Sequence, residues 1–123
     1  MSETELSLEQ IYDLAKNVML ANGCDQANAE ALADIIGRAE RDGSHSHGLF
    51  RIPGYVKALR SGKVDGKAKP SLRHVTPAII QVDGHGCFAP LAQAMGLPAL
   101  AEATNNIGIA ALSLVGVHHF AAL

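Results

Sequence analysis

The sequence predicts an α/β protein: an N-terminal helical hairpin and a third helix, followed by strands that alternate with a helix. Three features lead there. Apolar residues recur at helical spacing from Leu8 to Leu59. Short β-rich runs then take over at residues 72–76, 78–82 and 107–115. Between the last two lies an Ala-, Leu- and Met-rich segment, residues 88–104, of helical composition.

Ser7 with Gln10 is a capping-box pattern, in which the serine oxygen and the glutamine side chain each satisfy an orphan N–H. Behind it Leu8, Ile11, Tyr12, Ala15, Val18 and Met19 share one helical face, and Asn22-Gly23 supplies the stop. Asp25 caps a second helix with Ala27, Ala31, Leu32, Ile35 and Ile36 on its inner face, ending near Arg41-Asp42-Gly43. A third helical pattern runs through Leu49, Ile52, Val56 and Leu59. Pro53 there means a kink, or a first-turn position if the helix starts late. Residues 63–70 read as a polar loop. The first two strands part at Thr76-Pro77, and Asp83-Gly84-His85-Gly86 has turn chemistry. Pro98 is a weak point in the later helix, which Asn105-Asn106 should stop.

With 48% apolar and 18% charged residues over 123 positions, the chain can bury one modest core and is not disordered. Its formal charge of −2 comes from mixed signs, without the basic block of a nucleic-acid binder or an acidic tail. No apolar run approaches the ~20 residues that span a bilayer. The polar, acidic first residues are unlike a signal or transit peptide. Cys24 and Cys87 form no CxxC, and a reducing cytoplasm is the expected location. The sequence stops inside an apolar stretch, where chains usually end in polar, frayed residues. It therefore reads as the N-terminal part of a longer protein, or as one whose last segment needs a covering partner.

Two groups of residues can carry chemistry. Ser46-His47-Gly48 with Arg51 would place His47 and Arg51 one turn apart if this piece is helical. A histidine exchanges protons near neutral pH, and an arginine fork holds a carboxylate with two hydrogen bonds. The pair suits a small acid whose α-carbon changes redox state, with the Ser46 hydroxyl orienting the ring. A serine-capped helix start with solvated His47 and Arg51 explains the same residues. His118-His119-Phe120 follows the last apolar run, at a strand end where α/β proteins bind ligands; a plain polar strand end is the alternative. A zinc set drawn from His45, His47, His118 and His119 lacks a supporting carboxylate or thiol, so no metal is expected. Asp83-Gly84-His85-Gly86 lacks the spacing of a phosphate loop, no GxSxG elbow occurs, and Cys87 beside Phe88 reads as packed.

The stretch Arg38-Ala39-Glu40-Arg41-Asp42-Gly43-Ser44-His45-Ser46-His47-Gly48-Leu49-Phe50-Arg51-Ile52-Pro53-Gly54-Tyr55 resembles the malate/L-lactate dehydrogenase-like oxidoreductases, and within them the Δ1-piperideine-2-carboxylate/Δ1-pyrroline-2-carboxylate reductases. The helical hairpin, residues 81–86 and the closing His119-Phe120-Ala121-Ala122-Leu123 occur in matching order, so the resemblance covers the whole chain. It implies the family's NAD(P)-binding fold, which lacks the Rossmann fingerprint. Residues 1–62 would be a helical substrate and dimerisation region, and residues 63–123 the start of the nucleotide-binding region. It also implies that Ser46 and His47 work with a downstream aspartate as a proton relay, and that Arg51 grips the substrate carboxylate. His119, Phe120, Ala121, Ala122 and Leu123 would touch the nicotinamide cofactor, NADPH in the reductase branch, with NADH as the other option. Family members are longer, and typically homodimers. The relay aspartate and the adenosine-side contacts would lie past Leu123.

The expected activity is NADPH-dependent reduction of a cyclic imine carboxylate to proline or pipecolate. An NAD(P)-dependent 2-hydroxyacid dehydrogenase, acting on malate, lactate, ureidoglycolate or sulfolactate, needs the same His and Arg. A non-catalytic helical binding or dimerisation fragment is the alternative from another class.

Overall fold

The computed structural model of the protein describes residues 2–118. Helix α1 spans Leu8–Ala21 and α2 spans Gln26–Arg41. The capping box forms as expected: Ser7 Oγ accepts from the Gln10 N–H at 3.1 Å, and Gln10 Oε1 accepts from the Ser7 N–H at 2.8 Å. Ile11, Ala15 and Met19, one turn apart, bury a single stripe of α1, while Leu8 lies half exposed at its start. Asp25 Oδ1 caps α2 by accepting from the Asn28 N–H.

The inner face of α2 differs from the expected one. Asn28, Ala29, Leu32, Ala33, Ile36 and Ala39 are buried, whereas Ala27 is exposed and Ala31 and Ile35 are half-buried. The cause is a polar tether. Asn28 Nδ2 donates to Asp25 Oδ1 and to the Ala68 carbonyl, each at 3.0 Å, and turns the helix so that the amide points inward. The buried amide is satisfied through its nitrogen, while its Oδ1 has no hydrogen-bond partner among the described residues.

Helix α3 runs Ile52–Arg60, with Pro53 in its first turn, where a missing N–H costs nothing. Strands β1 (Ser71–Thr76) and β2 (Ile79–Phe88) form an antiparallel hairpin. Helix α4 (Ala89–Ile107) then crosses over to β3 (Ala111–His118), which runs parallel to β2, giving the sheet order β1-β2-β3.

Three sequence expectations are corrected here. Asp83-Gly84-His85-Gly86 is no turn between elements; β2 continues through it as a bulge. Asp83 pairs with Val115 and Cys87 with Val117, so Gly84, His85 and Gly86 oppose Gly116 alone. Helix α4 continues past Asn105-Asn106 to Ile107, where Gly108 at φ 97° ends it. It also continues through Pro98, because Pro98 and Ala94 both face solvent and water can satisfy the carbonyl that proline leaves unpaired.

Two apolar clusters result. The first gathers α1, α2 and α3 around Met19, Leu32, Ile36 and Tyr55. The second packs Val82, Cys87 and Ala92 against Leu72, Leu112, Leu114 and Val117. Phe88, the last residue of β2, is buried in the helical cluster and so ties the sheet to the helices.

Candidate functional site

The link between α2 and α3 holds Ser46, His47 and Arg51. The one-turn spacing of His47 and Arg51 holds only if this piece is helical; the chain makes two short 3₁₀ turns, His45–His47 and Leu49–Arg51, broken at Gly48 with φ −96° and ψ −132°. The break falls where the chain has no side chain. The carboxylate of Glu40, in the last turn of α2, occupies the space that a Cβ on residue 48 would need. Only glycine lets that carboxylate approach the backbone.

Glu40 uses both oxygens. Oε2 accepts from His45 Nδ1 at 2.6 Å, and Oε1 accepts from the Leu49 N–H at 2.9 Å. Burial pushes the Glu40 carboxyl up, but the bonds from His45 and Leu49 and the His45 charge outweigh that and hold it below its ordinary range.

A different contact from the expected helical spacing joins Arg51 to the Ser46-His47 pair. Arg51 Nε donates to the Ser46 carbonyl at 2.9 Å, which leaves the two terminal nitrogens of the guanidinium as a fork. Ser46 Oγ lies 2.9 Å from His47 Nδ1. With Nδ1 taken up by the hydroxyl, Nε2 is the ring nitrogen left to exchange a proton. Ser46 is exposed, and His47 and Arg51 are half-buried, so the group is open to a small ligand.

A line of rings leads from this group to the sheet. Tyr55, one turn beyond Arg51, is 4% exposed and meets Phe88 edge-on at 5.2 Å. Its hydroxyl has no hydrogen-bond partner among the described residues. Burial raises the phenol pKa, and the Arg51 charge partly opposes the rise. Phe88 meets His118 edge-on at 5.9 Å, and the two pair across the ends of β2 and β3. His118 thus stands at the C-terminal edge of the parallel pair, where open α/β sheets bind ligands. The proposed cofactor residues His119, Phe120, Ala121, Ala122 and Leu123 lie outside the described residues.

Sequence reasoning gave Glu40 and Tyr55 no role in the site. Tyr55 was hidden because its spacing also fits the core face of α3. The one signal for Glu40 was an acidic residue at a helix end, five positions before a histidine.

Among the described residues, the other polar groups do not form a second site. Ser71 Oγ lies 2.9 Å from His85 Nε2 in the bulge, which invites comparison with a hydrolase triad. Yet His85 Nδ1 is 3.6 Å from Asp83 Oδ1, beyond hydrogen-bond length, and that oxygen already accepts from the His85 N–H at 2.8 Å. Asp83 orders the bulge and does not orient the ring. A groove of about 440 Å³ between α2 and α4 is flanked by Arg38 and Arg41. Both are engaged, by Asp34 at 2.9 Å and Asp42 at 2.8 Å, and so they make no ready anion site. Cys24 and Cys87 are buried, which pushes the Cys24 thiol up to about 11 and that of Cys87 in the same direction. Neither is a nucleophile at neutral pH.

The chain and its fold have clear relatives. The Δ1-pyrroline-2-carboxylate reductase of Ancylobacter novellus is 47% identical over 118 residues, covering 96% of this chain and 35% of that protein. The crystal structure of Δ1-piperideine-2-carboxylate reductase from Pseudomonas syringae pvar. tomato superposes with a TM-score of 0.94 at 42% identity, over 98% of this chain and 36% of that one. Malate dehydrogenase from Entamoeba histolytica shares the fold, with a TM-score of 0.87 at 24% identity over 98% of this chain and 34% of that one. The chain therefore spans about a third of the length of the relatives it matches. Residues 6–123 match the malate/L-lactate dehydrogenase family, and the chain belongs to that family.

Proposed function

We propose that the protein carrying this chain is an oxidoreductase that reduces a cyclic imine carboxylate, Δ1-pyrroline-2-carboxylate or Δ1-piperideine-2-carboxylate, to proline or pipecolate with NADPH. The observation that carries this reading is the contact of Arg51 Nε with the Ser46 carbonyl, which sets a guanidinium fork beside the Ser46–His47 pair. The names of the relatives, imine carboxylate reductases at 42–47% identity, agree with it.

Arg51 holds the substrate carboxylate through its terminal nitrogens, and so fixes the neighbouring imine carbon in place. His47 delivers a proton from Nε2 to the imine nitrogen, and Ser46 sets the orientation of the ring. An aspartate past Leu123 completes the relay. NADPH, when bound, supplies the hydride for the carbon next to the carboxylate. The residues present suit such a group: β2 and β3 end side by side, and the buried Phe88 backs His118 at that edge. Residues 1–62 serve the substrate and residues 63–123 open the nucleotide-binding region. The protein acts as a cytoplasmic homodimer.

The test is an assay of the full-length protein with NADPH or NADH against both imines, malate, lactate, ureidoglycolate and sulfolactate. Turnover of the imines with preference for NADPH is expected. Turnover of the hydroxyacids alone would replace this reading with the dehydrogenase one. In Arg51→Ala, kcat/KM should fall about a hundredfold, the scale of losing hydrogen bonds to a charged group. Unchanged affinity for the carboxylate would remove Arg51 from the site.

A further inference from the structure

We propose that Glu40 is the positioning residue of this site, its two oxygens separately pinning the turn that carries Ser46 and His47 and the turn that carries Arg51. The proposal rests on the reductase reading above. No residue of the two 3₁₀ turns is fully buried, and their apolar anchorage is limited to Leu49, partly buried against the helical cluster. Glu40 Oε2 takes His45 Nδ1, at the head of the first turn, and Oε1 takes the Leu49 N–H, at the head of the second. Gly48 lies between the turns, and the carboxylate fills the place of its missing Cβ. Glu40 itself is anchored on the last turn of α2, whose Ala39 and Ile36 lie in the core. The proton-exchanging ring and the carboxylate fork are thus referred to one rigid helix end through one side chain. Glu40 touches no reacting atom in this arrangement; it acts through His45 and Leu49.

The division between the oxygens makes the proposal testable. In Glu40→Gln the amide oxygen still accepts from the Leu49 N–H, while the charged partner of His45 is lost. In the full-length protein this variant should lower kcat about tenfold to a hundredfold, the scale of a displaced catalytic group. KM for the imine carboxylate should change less than kcat, because the turn carrying Arg51 keeps its bond from the Leu49 N–H even though the Ser46 carbonyl that Arg51 also contacts lies on the loosened turn. His45→Ala should reproduce the kcat loss, and combining it with Glu40→Gln should add little. Glu40→Ala should release both turns, lowering kcat and raising KM together. Side-chain ¹⁵N spectra give a readout independent of turnover: the His45 ring signals should move in Glu40→Gln, and those of His47 should follow.

Unmoved ring signals with an unchanged kcat in Glu40→Gln would overturn the proposal. So would a kcat loss matched by an equal loss of folded protein. If the wild-type protein turns over none of the substrates, the reductase reading fails by itself, and the ring signals still decide whether Glu40 holds the two turns.

Discussion

The helical hairpin and the loop that follows it are built on opposite principles. In α1 and α2 the same stripe of side chains that forms the helices also forms the core: Met19, Leu32, Ala33 and Ile36 have no exposed surface. Between residues 44 and 51 Gly48 alone is fully buried, with Leu49 partly packed on the core; besides the local backbone bonds of the turns, side-chain contacts from Glu40 to His45 and Leu49 and from Arg51 to Ser46 tie the segment together. Dispersed apolar packing gives stability, whereas a few directional bonds give geometry. A substitution in the hairpin should therefore cost folding, and one in the loop should cost chemistry.

The strongest way to break this comparison is at its apolar end. Leu32→Ala empties a fully buried site and should destabilise the protein by about 2–5 kcal/mol, read from denaturant melts. Its kcat per folded molecule should stay near wild type. Loss of kcat without loss of stability would show that the hairpin shapes the site directly. Arg51→Ala, with its loss of about a hundredfold in kcat/KM, is the reverse case. As a partly exposed side chain outside the core, it should change stability by no more than about 0.5 kcal/mol. A melt that drops with the activity would mean that the loop carries part of the fold.

Asp25→Ala probes the border between the two regimes. It removes the N-cap of α2 and one partner of the buried Asn28. The expected cost is about 1 kcal/mol, with normal kinetics. A larger loss would show that Asn28, whose amide also reaches the Ala68 carbonyl, depends on Asp25 for its inward orientation.

The two regions also differed in how far the sequence revealed them. The hairpin could be read because its signals are local: Ser7 with Gln10, Asp25 with the Asn28 amide, and apolar residues one turn apart. Where the reading failed, a distant partner decided. Nothing near Asp83-Gly84-His85-Gly86 reveals that β3 pairs on both sides of it, through Val115 and Val117, and so keeps it inside a strand. Asn28 faces the core because a loop carbonyl forty residues away accepts its amide. In the site, residue types identified Ser46, His47 and Arg51, since imidazole and guanidinium chemistry belongs to the side chain. Their geometry was not legible. A helical run through Gly48 is a reasonable local expectation; the chain instead breaks there, with a carboxylate from the preceding helix lying against Gly48.

That carboxylate also makes the loop the acid-sensitive region. The Glu40 pKa is lowered in the folded protein from its ordinary 4.5, so the folded state binds that proton less readily than the unfolded chain does. Its contribution to stability is thus fully present above about pH 4.5, and is lost as pH falls through the lowered folded value. His45 and the Leu49 N–H are the groups that face it and hold it down. As acid is added, the hydrogen-exchange protection of the Leu49 amide, which donates to Glu40 Oε1, should fall before that of the Ile36 amide within α2. In Glu40→Gln the Leu49 amide should have lost this early step, because the amide oxygen that replaces the carboxylate does not titrate. If both amides lose protection together in the wild-type protein, loop and hairpin unfold as one unit, and the division between packed scaffold and bonded site does not hold.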